Sequence, residues 1–139
     1  MISKKKIVDY FNYYNIATRW KDVDSFGHIN NSVYLTYIED ARMELFNKWK
    51  LNNSTKSLIV ASIKIDYISQ INHPSSLIVG QRISKIGNKS FNIESAIFNK
   101  NKDQAFILSD VTCVCYNYNL NKTVMVYDVI KNDFHRKNL

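Results

Sequence analysis

The sequence predicts an α+β fold in which one long helix packs against an antiparallel sheet of five or six strands. Three observations support this class: one segment has helical periodicity, the later segments alternate apolar and polar residues, and the turns between them are short. Because short connections join antiparallel neighbours, the helix is expected to cover the apolar face of one such sheet. The 139 residues suit one domain, expected over residues 1–139.

The first predicted strand covers residues 14–22 and is followed by a polar segment. The helix is expected from Ser32 to about Lys50, since apolar residues recur there every three or four positions. Its predicted buried stripe consists of Tyr34, Ile38, Ala41, Leu45 and Trp49.

Four segments after the helix have the alternation of strands. In the first, Ile59, Ile63 and Tyr67 fall on an apolar face that opposes a mainly polar one. Turn-forming residues separate the segments. The predicted strands are residues 59–67, 77–86, 90–99 and 104–117, followed by a short run at 123–127 and a candidate terminal helix.

The composition excludes several classes of protein. An apolar share of 45% excludes a disordered chain, and no apolar run approaches the ~20 residues that span a bilayer. The formal charge of +7 comes mainly from scattered lysines, which favours ordinary solvation, with attraction of a phosphorylated ligand or an acidic carrier protein as the alternative. No nucleic-acid-binding motif accompanies the charge. We expect a cytoplasmic protein that binds neither nucleic acid nor membrane.

The two cysteines, Cys113 and Cys115, are predicted to be small core residues. On a strand their side chains share one face with that of Val111. No second pair of cysteines could complete a zinc site, and the loop before the helix lacks the oxygen ligands of a calcium site. We therefore expect no metal ion.

Residues that carry chemistry are concentrated directly before the helix. Backbone N–H groups and the dipole at a helix N-terminus favour negative charge there. Such a place suits an oxyanion or an acyl carbonyl, whereas a serine hydrolase is excluded because no G-x-S-x-G elbow exists. The polar set consists of Asp22, Asp24, Gly27, His28, Asn30 and Asn31.

This region resembles the hotdog-fold thioesterases, in particular the branch similar to 4-hydroxybenzoyl-CoA thioesterase. The resemblance extends to most of the chain through the order of its helices and strands. It departs from the acyl-ACP enzymes at Phe26, where those enzymes have asparagine. Those enzymes also have two hotdog units rather than one, so the carrier, CoA or acyl carrier protein, stays open. The matching residues are Asp22-Val23-Asp24-Ser25-Phe26-Gly27, Tyr34 and Glu39-Asp40-Ala41-Arg42, together with His28-Ile29-Asn30-Asn31, which is similar to a segment of acyl-ACP thioesterases.

The resemblance implies a single hotdog domain that hydrolyses acyl thioesters. Asp24 would be the catalytic carboxylate, as nucleophile or as general base on water, with His28 and Asn31 acting on the carbonyl or the water. No cofactor is implied beyond the CoA or phosphopantetheine of the substrate. The residues implied to bind the substrate are Phe26, Gly27, Asn30, Tyr34, Lys89 and Ser90, and Tyr37 is expected beside Phe26 and Tyr34 in an apolar acyl channel.

Several of these residues also have a structural alternative. Asp22 is more often a turn or strand-end residue, and Asn30 and Asn31 are types that cap a helix. Glu39 is expected to pair with Arg42, three residues further along the helix.

The three histidines carry different expectations. His28 follows Asp24 closely enough to act with it, although a loop histidine without a catalytic role is the alternative. His73 is interpreted as a turn residue and His135 as part of a basic tail, and neither receives a role.

Two other functions fit the same fold. A hydratase or dehydratase is the first, but Asp24 and His28 are closer in sequence than in those enzymes, and Phe26 replaces their asparagine. A non-catalytic module that binds acyl-CoA or an acyl carrier is the second, and it would tolerate loss of Asp24. Because one helix covers only one face of a sheet, we also expect a homodimer or homotetramer.

Overall fold

The computed structural model describes residues 4–137, in which one antiparallel six-stranded sheet carries a long helix. The sheet order is β1-β3-β4-β5-β2, and β6 pairs with β5. This architecture confirms the predicted α+β class, while residues 1–3 and 138–139 of the expected domain lie outside the described residues. The elements are β1 Asn12–Ala17, α1 Asn31–Lys48, β2 Ser57–Tyr67, β3 Ser76–Ile86, β4 Ser90–Asn99, β5 Ala105–Asn117, β6 Lys122–Thr123 and α2 Asp128–Lys137.

Helix α1 begins where the polar segment ends. The side-chain oxygen of Asn30 accepts a 3.0 Å hydrogen bond from the Ser32 N–H, which satisfies a donor that has no partner inside the helix. The helix ends slightly before its predicted limit, because Lys50 has a left-handed φ of 58°. The predicted stripe is confirmed as buried: Tyr34, Ile38, Ala41, Leu45 and Trp49.

The first strand is shorter than predicted. Strand β1 ends at Ala17, where its ladder with β3 also ends opposite Ser76. Beyond it, Trp20–Asp22 form a 3₁₀ turn rather than a strand. The Asp22 carboxylate closes this turn by accepting a 3.0 Å hydrogen bond from the Arg19 N–H, so the chain bends away from the sheet.

Strand β2 is an edge strand, and its predicted alternation was wrong at one point. A bulge between Val60 and Ser62 reverses the faces, so Val60 lies opposite Cys113 and Ile63 lies opposite Val111, both on the core side. Ile59 therefore points to the other face. Val60, Ile63 and Tyr67 stay 36%, 42% and 42% exposed, because residues 4–137 place no element beyond this strand to cover them.

The last part of the chain covers the end of the core that lies at the C-terminus of α1, where Val126 and Ile130 join Trp49 and Leu51 in one apolar cluster. Of the predicted final run, residues 123–127, only Thr123 lies in a strand, because Val126 turns away and donates its N–H to the Asn88 carbonyl at 2.9 Å. Cys113 and Cys115 are buried, as predicted. Between residues 4 and 137, no helix is both long and apolar enough to span a membrane.

Candidate active site

The loop that precedes α1 is folded around the carboxylate of Asp24. Its Oδ1 accepts hydrogen bonds from the Phe26 N–H at 2.8 Å and from the His28 N–H at 3.1 Å. Gly27 has a φ of 84°, which glycine adopts without the strain of other residues. We call residues 23–29 the Asp24 loop, and its shape comes mainly from its own polar groups.

Two neighbouring segments hold the Asp24 loop in place. The Ile29 N–H donates to the Ile71 carbonyl at 2.9 Å, and His28 forms a bridge with Asn72. On the other side the Asn30 N–H donates to the Asp22 carbonyl at 2.9 Å. The loop is therefore fixed between the 3₁₀ turn and the β2–β3 connection.

Asp22 has a structural role in a turn, which the sequence analysis gave as the alternative to a role in the site. Its buried carboxylate accepts hydrogen bonds from the Tyr37 hydroxyl at 2.6 Å and from the Arg19 guanidinium at 2.9 Å. Burial acts to raise the pKa of Asp22, but the hydrogen bonds from Arg19 and Tyr37 outweigh it and hold the pKa below its usual value. Asp22 thus serves as an ionised anchor for the 3₁₀ turn.

Asp24, by contrast, faces an open groove. Its Oδ1 is occupied by the loop, whereas its Oδ2 accepts no hydrogen bond from any residue that the structure describes. One carboxylate oxygen is therefore available to a ligand. The groove, of about 600 Å³, is lined by Trp20, Lys21, Val23, Asp24, Ser25, Gly27 and His73.

Trp20 and His73 are among the lining residues that were not predicted as site residues. His73 was interpreted as a turn residue, yet it lines the groove, and its Nδ1 lies 2.8 Å from the Thr18 hydroxyl oxygen. Trp20 was placed in a strand, but its indole is 80% exposed and lies edge-on to the His73 ring at 6.1 Å. No local pattern indicates that His73 meets Trp20 and Asp24, because α1 and β2 separate it from them in sequence.

Helix α1 presents its first residues close to the Asp24 loop. Among residues 4–137 the N–H of Asn31 has no acceptor, and its carbonyl accepts a 3.3 Å hydrogen bond from the Tyr67 hydroxyl. The Asn30 side chain is used as a cap, as its structural alternative suggested. The N–H of Asn31 is thus the donor that this helix start leaves available.

The remaining predicted binding residues are widely separated. Phe26 is 84% exposed at the tip of the loop. Tyr34 is buried, and its hydroxyl accepts a hydrogen bond from the Ile71 N–H at 3.1 Å, so it packs in the core rather than lining an open channel. Lys89 and Ser90 lie near the far end of α1, where the neighbouring Phe91 packs on Trp49 with ring centroids 5.9 Å apart.

Tyr37 is also closed off from the groove, since it is buried and bonded to Asp22. The expected pair on the helix is present, with 3.8 Å between Glu39 Oε2 and Arg42 Nη2. Within residues 4–137, His, Cys, Asp and Glu side chains form no group of three or more that could share a metal ion.

Comparisons with known proteins agree with this architecture. The model of the thioesterase-like superfamily matches residues 18–134, which is most of the chain. Among curated proteins, YsmA of Bacillus subtilis (strain 168) is 29% identical over 86 residues. That match spans 60% of this chain and 58% of YsmA, so it covers little more than half of that relative.

Solved structures share the fold at low sequence identity. The PA5185 protein of Pseudomonas aeruginosa strain PAO1 has a TM-score of 0.84 at 23% identity, over 95% of this chain and 94% of its own. A thioesterase from Thermus thermophilus, solved with coenzyme A and zinc, has a TM-score of 0.76 at 22% identity over 90% and 98%. The 1,4-dihydroxy-2-naphthoyl-CoA thioesterase of Synechocystis has a TM-score of 0.79 at 15% identity over 92% and 98%. These likenesses confirm the expected hotdog fold.

Proposed function

This chain belongs to the thioesterase-like superfamily, and we propose that it hydrolyses acyl thioesters with Asp24 as the catalytic carboxylate. One observation carries the proposal: Asp24 lines an open groove and uses one oxygen to hold its loop while the other has no partner among the described residues. A carboxylate held in this way is fixed in orientation and still available for reaction.

The reaction needs few groups because a thiolate leaves readily from a thioester. In the general-base route Asp24 accepts a proton from water as the water oxygen bonds to the carbonyl carbon. The carbon–sulfur bond then breaks and its electron pair leaves on sulfur. Asp24 gives its proton to this thiolate, so the products are the free acid and the thiol and the carboxylate is restored. The N–H of Asn31 is the proposed donor to the oxyanion, which is supported by its lack of another acceptor within the described chain.

The first experiment compares Asp24→Asn with Asp24→Ala in a thiol-release assay. Asparagine keeps an oxygen that can accept the N–H groups of Phe26 and His28, so Asp24→Asn should fold normally while kcat falls by about 10²–10⁴-fold. Asp24→Ala should lose both activity and loop stability. A folded Asp24→Asn variant with wild-type turnover would refute the proposed role.

A single-turnover reaction in ¹⁸O-labelled water separates the two mechanisms. Label found in the Asp24 carboxylate would identify Asp24 as the nucleophile, because it enters there only when water attacks the Asp24 carbonyl carbon of an anhydride between Asp24 and the acyl group. If Asp24 is a general base, the label appears only in the product acid.

The choice of substrate can be tested with short, long, branched and aromatic acyl groups on CoA or on acyl carrier protein. Release of thiol without a 3-hydroxyacyl product distinguishes hydrolysis from hydration. If an acidic carrier protein is the donor, the positive charge of this chain predicts activity that falls steeply with added salt.

We also propose that the protein works as a homodimer formed along β2. The support is the exposed apolar face of this edge strand, where Val60, Ile63 and Tyr67 share the core side of the sheet but are covered by no element of the described chain. Tyr67 also bonds to the first residue of α1, so a partner seated on β2 would lie beside the helix start.

A further inference from the structure

Ile71, in the connection between β2 and β3, is bonded both to α1 and to the Asp24 loop. Its N–H donates a 3.1 Å hydrogen bond to the Tyr34 hydroxyl of α1, and its carbonyl accepts a 2.9 Å hydrogen bond from the Ile29 N–H at the end of the loop. All three residues are buried, so water does not replace either bond. We call this path the Tyr34–Ile71–Ile29 link, and it joins the start of the helix to the loop.

Aromatic packing holds the Tyr34 hydroxyl at one end of this link. The Tyr34 ring lies edge-on to that of Tyr37, with centroids 6.3 Å apart, and its centroid is 6.0 Å from that of Tyr67. The Tyr67 hydroxyl in turn donates to the Asn31 carbonyl at 3.3 Å. The link therefore begins at a fixed point of α1, about one turn after the Asn31 N–H that is the proposed donor to the oxyanion.

The Tyr34 hydroxyl is a neutral group that accepts the Ile71 N–H. Burial raises the pKa of Tyr34, the bond from Ile71 acts in the opposite direction, and the negative charge of Asp24 adds to the rise. The hydroxyl therefore stays protonated near neutral pH, and it lies close enough to the candidate carboxylate for that charge to reach it.

We propose that Tyr34 is a positioning residue, which sets the distance between the Asp24 carboxylate and the Asn31 N–H. The inference rests on the proposed function, because that function requires both groups to reach the same thioester carbonyl. Asn31 belongs to α1, whereas Asp24 belongs to the loop. A shift of Ile71 relative to Tyr34 would carry the Ile29 end of the loop with it and change this distance.

The test begins with Tyr34→Phe, which removes the hydroxyl and keeps the ring. The buried Ile71 N–H then loses its acceptor, and the connection should move until this N–H finds another one. We expect kcat for thioester hydrolysis to fall by about tenfold to 10²-fold, since a small displacement of reacting groups has an effect of this size. KM should change little, and the factor should be the same for short, long and aromatic acyl groups.

Tyr127→Phe is the matched control. The Tyr127 hydroxyl also accepts a backbone N–H at 3.1 Å, that of Ser57, but this tyrosine packs on the apolar cluster at the C-terminus of α1. Its loss should reduce stability while kcat stays at the wild-type value. Both variants are assayed well below their melting temperatures, so that unfolding does not contribute to the comparison.

Amide hydrogen exchange measures the loop without turnover. The N–H groups of His28 and Ile29 are both bonded, to Asp24 Oδ1 and to the Ile71 carbonyl. They should exchange about tenfold faster in Tyr34→Phe than in Tyr127→Phe, which corresponds to the loss of about one hydrogen bond. Comparing the two variants removes the effect of global stability that they share.

Two kinetic outcomes would overturn the inference. Equal kcat in Tyr34→Phe and Tyr127→Phe would show that Tyr34 supports the fold alone. A rise in KM for one class of acyl group at unchanged kcat would show that Tyr34 contacts the acyl chain instead of positioning Asp24.

The exchange data separate this inference from the proposed function. If His28 and Ile29 exchange as expected but the wild-type protein cleaves no thioester, the proposed function fails while the placement of the loop by Tyr34 is supported. If the wild-type protein cleaves thioesters and Tyr34→Phe keeps full turnover, the inference fails and the function stands.

Discussion

The hydroxyl of Tyr37 donates a 2.6 Å hydrogen bond to the buried carboxylate of Asp22, and this bond joins the middle of α1 to the 3₁₀ turn. Because the Asp22 carbonyl also accepts the N–H of Asn30, one residue ties the turn both to the helix and to the end of the Asp24 loop. The site is thus supported by a charged group that lies beneath it.

Removing this bond should destabilise the fold. Tyr37→Phe leaves a buried carboxylate with one donor fewer, and we expect a loss of about 1–3 kcal/mol in the free energy of unfolding. Urea denaturation near neutral pH measures the loss. Tyr118→Phe, at an exposed tyrosine, should have almost no effect and serves as the control.

The contribution of Asp22 should depend on pH. Its folded-state pKa lies below the usual value, since the bonds from Arg19 and Tyr37 outweigh the effect of burial. The ionised carboxylate therefore stabilises the fold above the unfolded-state pKa of about 3.9, and this stabilisation is lost as the pH falls through the folded-state pKa. Asp22→Asn should be less stable than wild type near neutral pH, and the difference should shrink on acidification. A difference that does not change with pH would contradict the prediction.

Gly27 should be required because of its backbone conformation, and not because a larger side chain would clash with its neighbours. A Cβ at this position would meet nothing within 4 Å, but the φ of 84° is strained for other residues. Gly27→Ala should cost about 1 kcal/mol of stability and disturb the loop that orients Asp24, so kcat should fall as well. Gly27→Asn should be milder, because asparagine tolerates positive φ. Equal behaviour of the two variants, measured by thermal melting and thiol release, would show that φ does not matter here.

The edge strand should determine the oligomeric state. Ile63→Lys places a charge in the exposed apolar face of β2 and should convert the proposed dimer into a monomer with reduced activity. Light scattering after gel filtration gives the mass directly. Lys64→Glu, a charge change at a neighbouring exposed position, is the control. A wild-type protein that is monomeric at working concentration would refute the proposed dimer.

The elements that depend on local sequence were predicted well. Helix α1 was recognised because its apolar period and its capping residue, Asn30, are both local signals. The buried cysteines followed from simple strand alternation. The end of β1 and the bulge after Val60 were missed, because pairing with β3 and β5 decides them and the sequence contains no local trace of that pairing.

The candidate site shows the same difference between features set by local sequence and features set by long-range contacts. The position of Asp24 in a polar loop before the helix could be anticipated because this loop is contained within a few consecutive residues, while its catalytic role stays a prediction. His73 could not, since it is oriented by Thr18, a residue 55 positions away, and meets the loop only after the sheet has formed. Tyr34 was expected at the substrate because it follows the motif, but helical periodicity directs it into the core.

The Asp24 loop also bears on how such a protein diversifies. Its conformation depends on one carboxylate, one glycine and backbone N–H groups, while the side chains of Ser25 and Phe26 project into solvent. Mutations at these two positions should therefore leave folding intact, and a change at Ser25, which lines the groove, would alter that lining. Under the proposed function, a duplicated gene could gain new selectivity first at these codons, and a library that varies the two positions would sample the same changes in the laboratory.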